Sequence, residues 1–314
     1  MGHLEGKVAV VTGAGRGIGR CEALALAAEG AAVVVNDMGG SWQGDGADNR
    51  PASEVAEEIV ALGGKAVGNF DNVADPAGAQ NLIKQAIDTF GGLDILVNNA
   101  GILRDAMVFS ADPAEWSSVI DVHIKGHFLP TRYATEYWRE EGKKGNVSHR
   151  AIVNTTSESG LFGNAGQSNY DAAKMGIVSF TIAVSKELAK YQVTCNAIAP
   201  RARTRLTTTT FENSDRAAEF SDRDPNKFDD MDPENIAPFI TFLGTDAAAE
   251  ITGQTFIVWG GIVAHVKLPH VSDFIMKSGR WTIDEIVDKK DELFKNLASN
   301  AYEGPRGYAR LPKH

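Results

Sequence analysis

Thr12-Gly-Ala-Gly-Arg-Gly-Ile-Gly19 is the stretch that decides the fold. It follows the apolar run Val8 to Val11 and precedes a helical pattern rich in alanine and leucine. Glycines at this spacing let the backbone approach a pyrophosphate, and the free N–H groups at the start of the helix face its negative charge. The stretch therefore predicts a dinucleotide-binding turn. A tight turn without a ligand is the alternative.

Short apolar runs alternate with helical patterns along the rest of the chain. Runs that are apolar at successive residues, as at Val33 to Val35 and Ile95 to Val97, are typical of strands covered by helices on both faces of a parallel sheet. The pattern predicts seven strands, at Lys7 to Val11, Ala32 to Asn36, Lys65 to Phe70, Leu93 to Asn98, Ala151 to Thr155, Val193 to Ala197 and Thr255 to Trp259. Strict alternation with right-handed crossovers gives a single α/β domain with one doubly wound parallel sheet. Its ligand crevice lies beyond the carboxyl ends of the strands.

Two predicted helices support this alternation. Ala56 to Leu62 is followed by Gly63, and Pro76 to Phe90 is followed by Gly91. Glycine ends helices because it adopts the left-handed cap conformation without strain. We therefore expect a helix between each of these pairs of strands.

Three regions depart from the pattern. Met38 to Arg50 is a polar, glycine-rich insertion after the second strand, and Arg201 to Pro233 has the length and composition of a mobile substrate lid. After Gly261, Thr282-Ile-Asp-Glu285 predicts a capping box at the start of an amphipathic helix. We predict a catalytic domain over residues 1–261 and a helical extension over 262–314 that packs on that domain or on a partner subunit.

Composition limits the class of protein. The net charge of -10 argues against a nucleic-acid partner, whose phosphates the molecule as a whole would repel. The two cysteines, Cys21 and Cys195, do not make a disulfide framework. The chain shows no signal segment and no run of eighteen apolar residues. We expect a cytoplasmic protein without membrane or metal sites.

Polar residues at the predicted strand ends extend the dinucleotide site. Asp37 ends the second strand, where a carboxylate binds the adenosine ribose and repels a 2'-phosphate, and this favours NAD. Arg16 favours NADP, because a guanidinium in the glycine turn pairs with that phosphate. The alternative interpretation of Arg16 is a solvated surface charge. Asp71 is placed to accept from the adenine amino group, with simple turn chemistry as the alternative. For Asn98, tying neighbouring strands together is at least as good an interpretation as contact with the cofactor.

Tyr170 and Lys174 lie four residues apart and so share one face of a predicted helix. A phenol has an ordinary pKa of about 10, and a nearby cation favours its ionised form. Ser157 lies at the end of the fifth strand, where its hydroxyl is placed to donate to an oxygen whose charge changes. Each residue alone is common on a protein surface. Together with the glycine turn they predict oxidation of an alcohol or reduction of a carbonyl.

At these positions the chain resembles the short-chain dehydrogenase/reductase family, over roughly residues 5–261. The motifs are Thr-Gly-x-x-x-Gly-x-Gly at 12–19, Asn-Asn-Ala-Gly at 98–101, Ser157, and Tyr-x-x-x-Lys at 170–174. The resemblance implies a Rossmann-type sheet in which Tyr170 is the acid/base, Lys174 its activator and ribose contact, and Ser157 the ligand of the substrate oxygen. The cofactor residues that we expect are Gly13, Arg16, Gly17, Ile18, Gly19, Asp37, Asp71, Asn72, Asn98, Ala100, Gly101, Tyr170 and Lys174.

A closer resemblance is to the (3R)-hydroxyacyl-CoA dehydrogenase part of peroxisomal multifunctional enzyme type 2, the 17β-hydroxysteroid dehydrogenase type 4 group, and its actinobacterial relatives. The segments at 34–40 and 98–105 and the tail after Gly261 carry it. The wider family has an asparagine that holds a relay water where this chain has His123, as the closer group does. The resemblance implies a proton-relay role for His123, and a core or surface histidine is the alternative.

The resemblance implies an NAD-dependent oxidation of a (3R)-hydroxyacyl-CoA by a homodimer or homotetramer. The alternatives are a dehydrogenase of 17β-hydroxysteroids or other apolar secondary alcohols and, more remotely, a nucleotide-binding sensor without turnover. The chain departs from the wider family at Pro200-Arg201 and at Trp259-Gly260-Gly261, where Pro-Gly and Asp-Gly-Gly are usual. We hypothesise that Arg201, Arg203 and Arg205 bind the phosphates of coenzyme A, with solvated loop charge as the alternative.

Overall fold

The structure, a computed structural model, describes residues 2–211, 227–267, 269, 271 and 273–294. Positions 212–226 of the predicted lid and 295–314 of the predicted extension lie outside these described residues. The contacts divide the chain into two compact units, residues 1–266 and 267–314.

The first unit is built on one sheet of eight strands in the order β3-β2-β1-β4-β5-β6-β7-β8. The strands are β1 Val8–Thr12, β2 Ala32–Asn36, β3 Lys65–Asn69, β4 Ile95–Asn98, β5 Arg150–Thr155, β6 Val193–Pro200, β7 Thr255–Trp259 and β8 Ile262–Val266. Strands β1 to β7 pair in parallel. The predicted doubly wound parallel sheet is thus confirmed.

The prediction of seven strands was one short. Strand β8 turns back on β7 through the two residues Gly260 and Gly261 and pairs with it antiparallel, Trp259 opposite Ile262. Along β8 the residues alternate between half-buried and exposed, the pattern of an edge strand. Because Gly260 has a φ of +49°, the pair of glycines makes a hairpin turn where the sequence had suggested the end of the sheet.

Helices form the layers on the two faces of the sheet, and one of them, Arg205–Phe211, lies in the predicted lid. They are α1 Gly17–Ala28, α2 Arg50–Ala61, α3 Pro76–Phe90, α4 Pro113–Ile120, α5 Gly126–Lys143, α6 Glu158–Phe162, α7 Ser168–Leu188, α8 Arg205–Phe211 and α9 Ala237–Leu243. A π-helical turn, Asp121–Lys125, joins α4 to α5. The predicted glycine stops are confirmed, because Gly91 follows α3 directly and Gly63 lies two residues after the end of α2, and both have positive φ.

Successive strand residues point to opposite faces of the sheet and belong to two buried hydrophobic clusters. On one face Val33, Val35 and Val97 pack with residues of α1, α2 and α9. On the other face Val34 and Leu96 pack with residues of α3, α5 and α7. A strand buried on both sides therefore needs apolar residues in succession, which is the pattern the sequence shows.

The second unit contains one described helix, α10 Ile283–Leu293. The predicted capping box is confirmed: the Thr282 hydroxyl accepts from the Glu285 N–H, and the Glu285 carboxylate accepts from the Thr282 N–H at 2.7 Å. The surface that this helix covers stays a prediction. Among the described residues, no helix is long and apolar enough to cross a membrane.

Glu22 on α1 is fully buried, and neither of its carboxyl oxygens has a hydrogen-bond partner among the described residues. Burial raises the pKa of this carboxyl to about 8. The carboxyl is then protonated in the folded chain and ionised in the unfolded chain at neutral pH. Folding is therefore destabilised progressively as pH rises from the ordinary range of a carboxyl to about 8.

We predict that Glu22→Gln flattens the pH dependence of stability, because the amide keeps the shape and does not ionise. Urea unfolding of both proteins between pH about 5 and 8 measures this, and the free energy of unfolding should fall more steeply with pH in the wild type. Glu57→Gln, at an exposed position on α2, is the control. Parallel pH profiles for the wild type and Glu22→Gln would contradict the prediction.

Candidate active site

A cleft of about 660 Å³ opens at the carboxyl ends of the parallel strands. Its walls come from the glycine turn after β1, the ends of β2 to β6, the insertion after β2 and residues 202–208, which begin the predicted lid. The structure brings all but one of the predicted site residues to this cleft: Gly13, Arg16, Gly17, Ile18, Gly19, Asp37, Asp71, Asn72, Ala100, Gly101, His123, Ser157, Tyr170 and Lys174.

The glycine turn forms one end of the cleft. Gly13 and Gly17 have φ values of +62° and +55°, which strain any other residue. A Cβ on Gly13 would lie 2.8 Å from the Cα of Ala100, and a Cβ on Gly19 would lie 2.4 Å from the Gly13 carbonyl oxygen. The turn is thus a cradle that side chains would fill, followed by the start of α1, and it fits the pyrophosphate of a dinucleotide.

Asp37 lies directly after β2 and joins the turn to the insertion. One carboxylate oxygen accepts from the Gly15 N–H at 2.9 Å, and the other accepts from the Gly39 N–H at 2.6 Å. Arg16 and Arg205 are close enough to be coupled electrostatically: burial, and then the charge of Arg16, lower the pKa of Arg205, while Asp37 raises it. This part of the cleft therefore holds one fixed carboxylate and two guanidinium groups.

Asp71 is held by a chain of amides at the ends of neighbouring strands. Asn36 donates to Asn69 at 2.6 Å, and Asn69 donates to the Asp71 carboxylate at 2.8 Å. Asn72 stands beside it on the wall of the cleft and accepts from the Ala74 N–H. The strand ends thus fix a second carboxylate on the wall of the cleft.

Asn98 is the predicted site residue that does not line the cleft. It is fully buried at the end of β4, and its amide donates to Thr131 on α5 and to Asn154 on β5. This position matches the strand-tying role that the sequence also allowed. Its neighbour Asn99, which sequence reasoning missed, reaches the turn: its amide donates to the Thr12 carbonyl at 2.9 Å and to the Gly13 carbonyl at 3.1 Å.

Ser157, Tyr170 and Lys174 meet at the other end of the cleft. Tyr170 and Lys174 lie one turn apart on α7, with the Lys174 Nζ 5.4 Å from the centre of the Tyr170 ring. The Ser157 hydroxyl is near enough to the phenol to lower the pKa of Tyr170, against the larger effect of burial, and it lies 2.8 Å from the Ser159 hydroxyl. Helix α6 packs closely against α7. A Cβ built on Gly160 would lie only 2.5 Å from the Cβ of Lys174, so glycine is what allows this approach.

Burial dominates the acid/base chemistry of this pair. It raises the pKa of Tyr170 above its ordinary value and lowers the pKa of Lys174 to about 7. The Lys174 ammonium donates to the Thr155 carbonyl at 2.7 Å. Sequence reasoning expected Lys174 to lower the phenol pKa. In the structure the larger effect on the phenol is desolvation, which acts in the opposite direction.

Two buried histidines stand behind this pair. His123 lies in the π-helical turn, with its ring 5.1 Å from that of Tyr170 at an angle of 85°, and its Nε2 lies 2.9 Å from the Ile102 carbonyl oxygen. His127, which sequence reasoning missed, has its pKa lowered to about 3, by burial and then by Lys174. Burial likewise lowers the pKa of His123, so both imidazoles are neutral at physiological pH. The relay role of His123 stays a prediction.

The insertion after β2 contributes to the cleft, which its polar composition did not indicate. Trp42 lines the cleft, and its carbonyl accepts from the Leu103 N–H at 3.2 Å. Asp45 pairs with Arg104 at 2.9 Å and so ties the insertion to the segment after β4. Within the described ranges, no group of three or more His, Cys, Asp or Glu side chains is placed to hold a metal ion.

The arginines of the predicted lid do not act as one cluster. Arg201 makes two hydrogen bonds to Glu158, and Arg203 makes two to Asp229. Only Arg203 and Arg205 line the cleft among the three. The hypothesis that all three bind coenzyme A phosphates is therefore not supported for Arg201, whose guanidinium is committed to a carboxylate within the protein.

Comparisons with known proteins agree with this geometry. A family profile described as short chain dehydrogenase matches residues 7–216. The hydroxyacyl-CoA dehydrogenase ChsB1 of Mycobacterium tuberculosis is 44% identical over 298 residues, which cover 93% of this chain and 89% of that protein. The peroxisomal hydratase-dehydrogenase-epimerase of Neurospora crassa is 39% identical over 310 residues, which cover 98% of this chain and 32% of that longer protein.

A solved structure extends the agreement to the fold. The crystal structure of a short chain dehydrogenase from Mycobacterium avium has a TM-score of 0.82 to this chain at 43% identity, and the match covers 94% of this chain and 96% of that one. The extent of these matches, together with the site formed by Ser157, Tyr170 and Lys174, shows that the chain belongs to the short-chain dehydrogenase family.

Proposed function

We propose that the protein oxidises the 3-hydroxyl of a (3R)-hydroxyacyl-CoA to the 3-oxoacyl-CoA with NAD as the hydride acceptor. The observation that carries this proposal is the convergence of Ser157, Tyr170 and Lys174 at one end of a cleft whose other end is the glycine turn. The thioester substrate is supported by the similarity to the hydroxyacyl-CoA dehydrogenase of Mycobacterium tuberculosis.

Each residue has a role that follows from its position. Ser157 donates to the substrate oxygen, because its hydroxyl lies beside the phenol of Tyr170. Tyr170 takes the hydroxyl proton during oxidation and returns it in the reverse reaction. Lys174, fixed by the Thr155 carbonyl, lies with its Nζ 5.4 Å from the centre of the Tyr170 ring, and its ammonium form offsets part of the desolvation that disfavours the phenolate which accepts this proton. NAD, when bound, supplies the hydride acceptor.

The residues that would hold the cofactor lie along the cleft in the order of its parts. The glycine turn fits the pyrophosphate, Asp37 fits the adenosine ribose, and Lys174 fits the nicotinamide ribose. Asp37 supports NAD over NADP, because its carboxylate repels a 2'-phosphate. Arg16 and Arg205 act in the other direction, and we weight Asp37 more heavily because two backbone N–H groups fix it. A homodimer or homotetramer in the cytoplasm remains our expectation.

The function is tested by the initial rate of NADH formation from a medium-chain (3R)-hydroxyacyl-CoA, with NAD and NADP at equal concentrations. We predict fast turnover with NAD and a much lower rate with NADP. The (3S) epimer is the control and should give no rate. Turnover of a 17β-hydroxysteroid but not of the thioester would contradict the substrate assignment and would leave the proposed roles of Ser157, Tyr170 and Lys174 unchanged. Nucleotide binding without turnover of any alcohol would favour a sensor.

We predict that Asp37→Ala improves the use of NADP, because it removes a negative charge that faces the 2'-phosphate. The expected gain in kcat/KM with NADP is roughly tenfold, which corresponds to about 1.4 kcal/mol of relieved repulsion. Asp71→Ala is the matched control, because Asp71 faces the adenine and its loss should weaken NAD and NADP alike. An unchanged ratio of NAD to NADP in Asp37→Ala would contradict the assignment.

A further inference from the structure

Arg201, at the end of β6, joins three strand ends around the segment that carries Ser157. Its Nε and Nη2 donate to the two carboxylate oxygens of Glu158 at 3.0 and 2.8 Å. Its guanidinium carbon lies 4.4 Å from the centre of the Trp259 ring. Glu158 is the residue directly after Ser157, and Trp259 is the last residue of β7. We call this arrangement the Glu158–Arg201–Trp259 clamp.

The clamp has the geometry of a strong interaction. The two hydrogen bonds form the bidentate pairing in which a planar guanidinium matches a carboxylate, and the aromatic face covers the cation. The Arg201 and Glu158 side chains are only 18% and 11% exposed. Because both charges are largely removed from water, loss of either partner leaves the other uncompensated. The clamp therefore holds Glu158 in one place.

Before Ser157 in the chain, Thr156 is tied to β6 and α7: its N–H donates to the Ile198 carbonyl at 2.7 Å and its hydroxyl to the Lys174 carbonyl at 2.6 Å. After Ser157 the chain enters a short segment rich in glycine. Ser157 stands between the end of β5 and α6, a helix of five residues that contains Gly160 and is followed by Gly163 with a φ of +78°. The hydrogen bonds of its hydroxyl within this segment go to Ser159, two residues away. A helix of five residues with a glycine inside it and a glycine after it has few backbone constraints of its own. The placement of Ser157 against Tyr170 therefore depends on ties to the rest of the sheet.

The clamp acts from outside the cleft. Pro200 and Ala202 line the cleft on either side of Arg201, whereas Glu158, Arg201 and Trp259 do not line it. The Arg201 N–H also donates to the Val258 carbonyl at 2.9 Å, which anchors the arginine backbone to β7. A side chain that is turned away from the cleft and bound to the neighbour of Ser157 is placed to position that serine.

We propose that Glu158, Arg201 and Trp259 are positioning residues that hold the Ser157 hydroxyl in register with Tyr170 and the substrate oxygen. The inference rests on the proposed function only for the choice of substrate, since any alcohol oxidised at this site needs the same register. A displacement of about 1 Å at a catalytic group costs up to roughly a hundredfold in rate.

Arg201→Lys tests the clamp, because it keeps the charge and loses the bidentate pairing and the planar stack. We expect kcat to fall roughly ten- to a hundredfold, with the KM for NAD and the dissociation constant of NADH unchanged. Glu158→Gln should act in the same direction. Arg20→Lys is the matched control: Arg20 donates to both carboxylate oxygens of Glu58, away from the cleft, and this variant should keep the wild-type kcat.

Two further measurements separate positioning from general damage. In a Ser157→Ala background, Arg201→Lys should cause no additional loss of kcat, because the clamp acts through that serine. Hydrogen exchange of the amides at 157–163 should be faster in Arg201→Lys and Glu158→Gln than in the wild type and in Arg20→Lys. An equal loss of kcat in both backgrounds, or unchanged exchange at 157–163, would overturn the proposal.

The outcomes also distinguish this inference from the proposed function. If the wild type does not oxidise the hydroxyacyl-CoA, the substrate assignment is wrong. The kinetic test of the clamp then uses the alcohol that the protein does oxidise. The exchange measurement needs no substrate. If the wild type oxidises the thioester and Arg201→Lys has the same kcat, the positioning role of the clamp is wrong and the proposed function stands.

Discussion

Burial of the Lys174 ammonium at the end of β5 is the constraint on which the active site depends. The Thr155 carbonyl accepts its hydrogen bond at 2.7 Å, and α6 closes over it because Gly160 has no side chain. Removing the ammonium from water lowers its pKa to about 7. Its position also sets that of Tyr170, one turn away on the same helix. A lysine side chain in water samples many conformations, whereas the buried Lys174 side chain is held beside the phenol.

The parallel sheet supplies the remaining order. Because the carboxyl ends of β1 to β6 meet at one edge, the glycine turn, Asp37, Asp71 and Ser157 come from distant parts of the chain to one cleft. The insertion after β2 and residues 202–208 add walls to it. The strand ends are in turn held to one another, by the amides of Asn98 and Asn99 and by the clamp around Arg201. Rigid strand ends are what acid/base chemistry at a fixed distance requires.

Local signals made most of the fold predictable from the sequence. Helix α3 has the predicted bounds because Pro76 starts it and Gly91 ends it. Strand β8 was missed because Gly260 and Gly261 suggested the end of the sheet, where they form a hairpin turn.

Contacts between distant residues could not be predicted from the sequence. Arg201 and Glu158 are 43 positions apart, and nothing local indicates their pairing. The pKa of Tyr170 was misjudged for the same reason, since burial depends on the assembled fold.

The most direct test of the account compares the wild type with Tyr170→Phe in alcohol oxidation with NAD, while NADH binding is measured on the same samples by fluorescence. We predict that kcat falls by roughly a hundredfold or more, because the phenol that accepts the proton is gone, and that NADH affinity changes little. A Tyr170→Phe variant that keeps the wild-type kcat would contradict the central claim that this phenol performs the proton transfer.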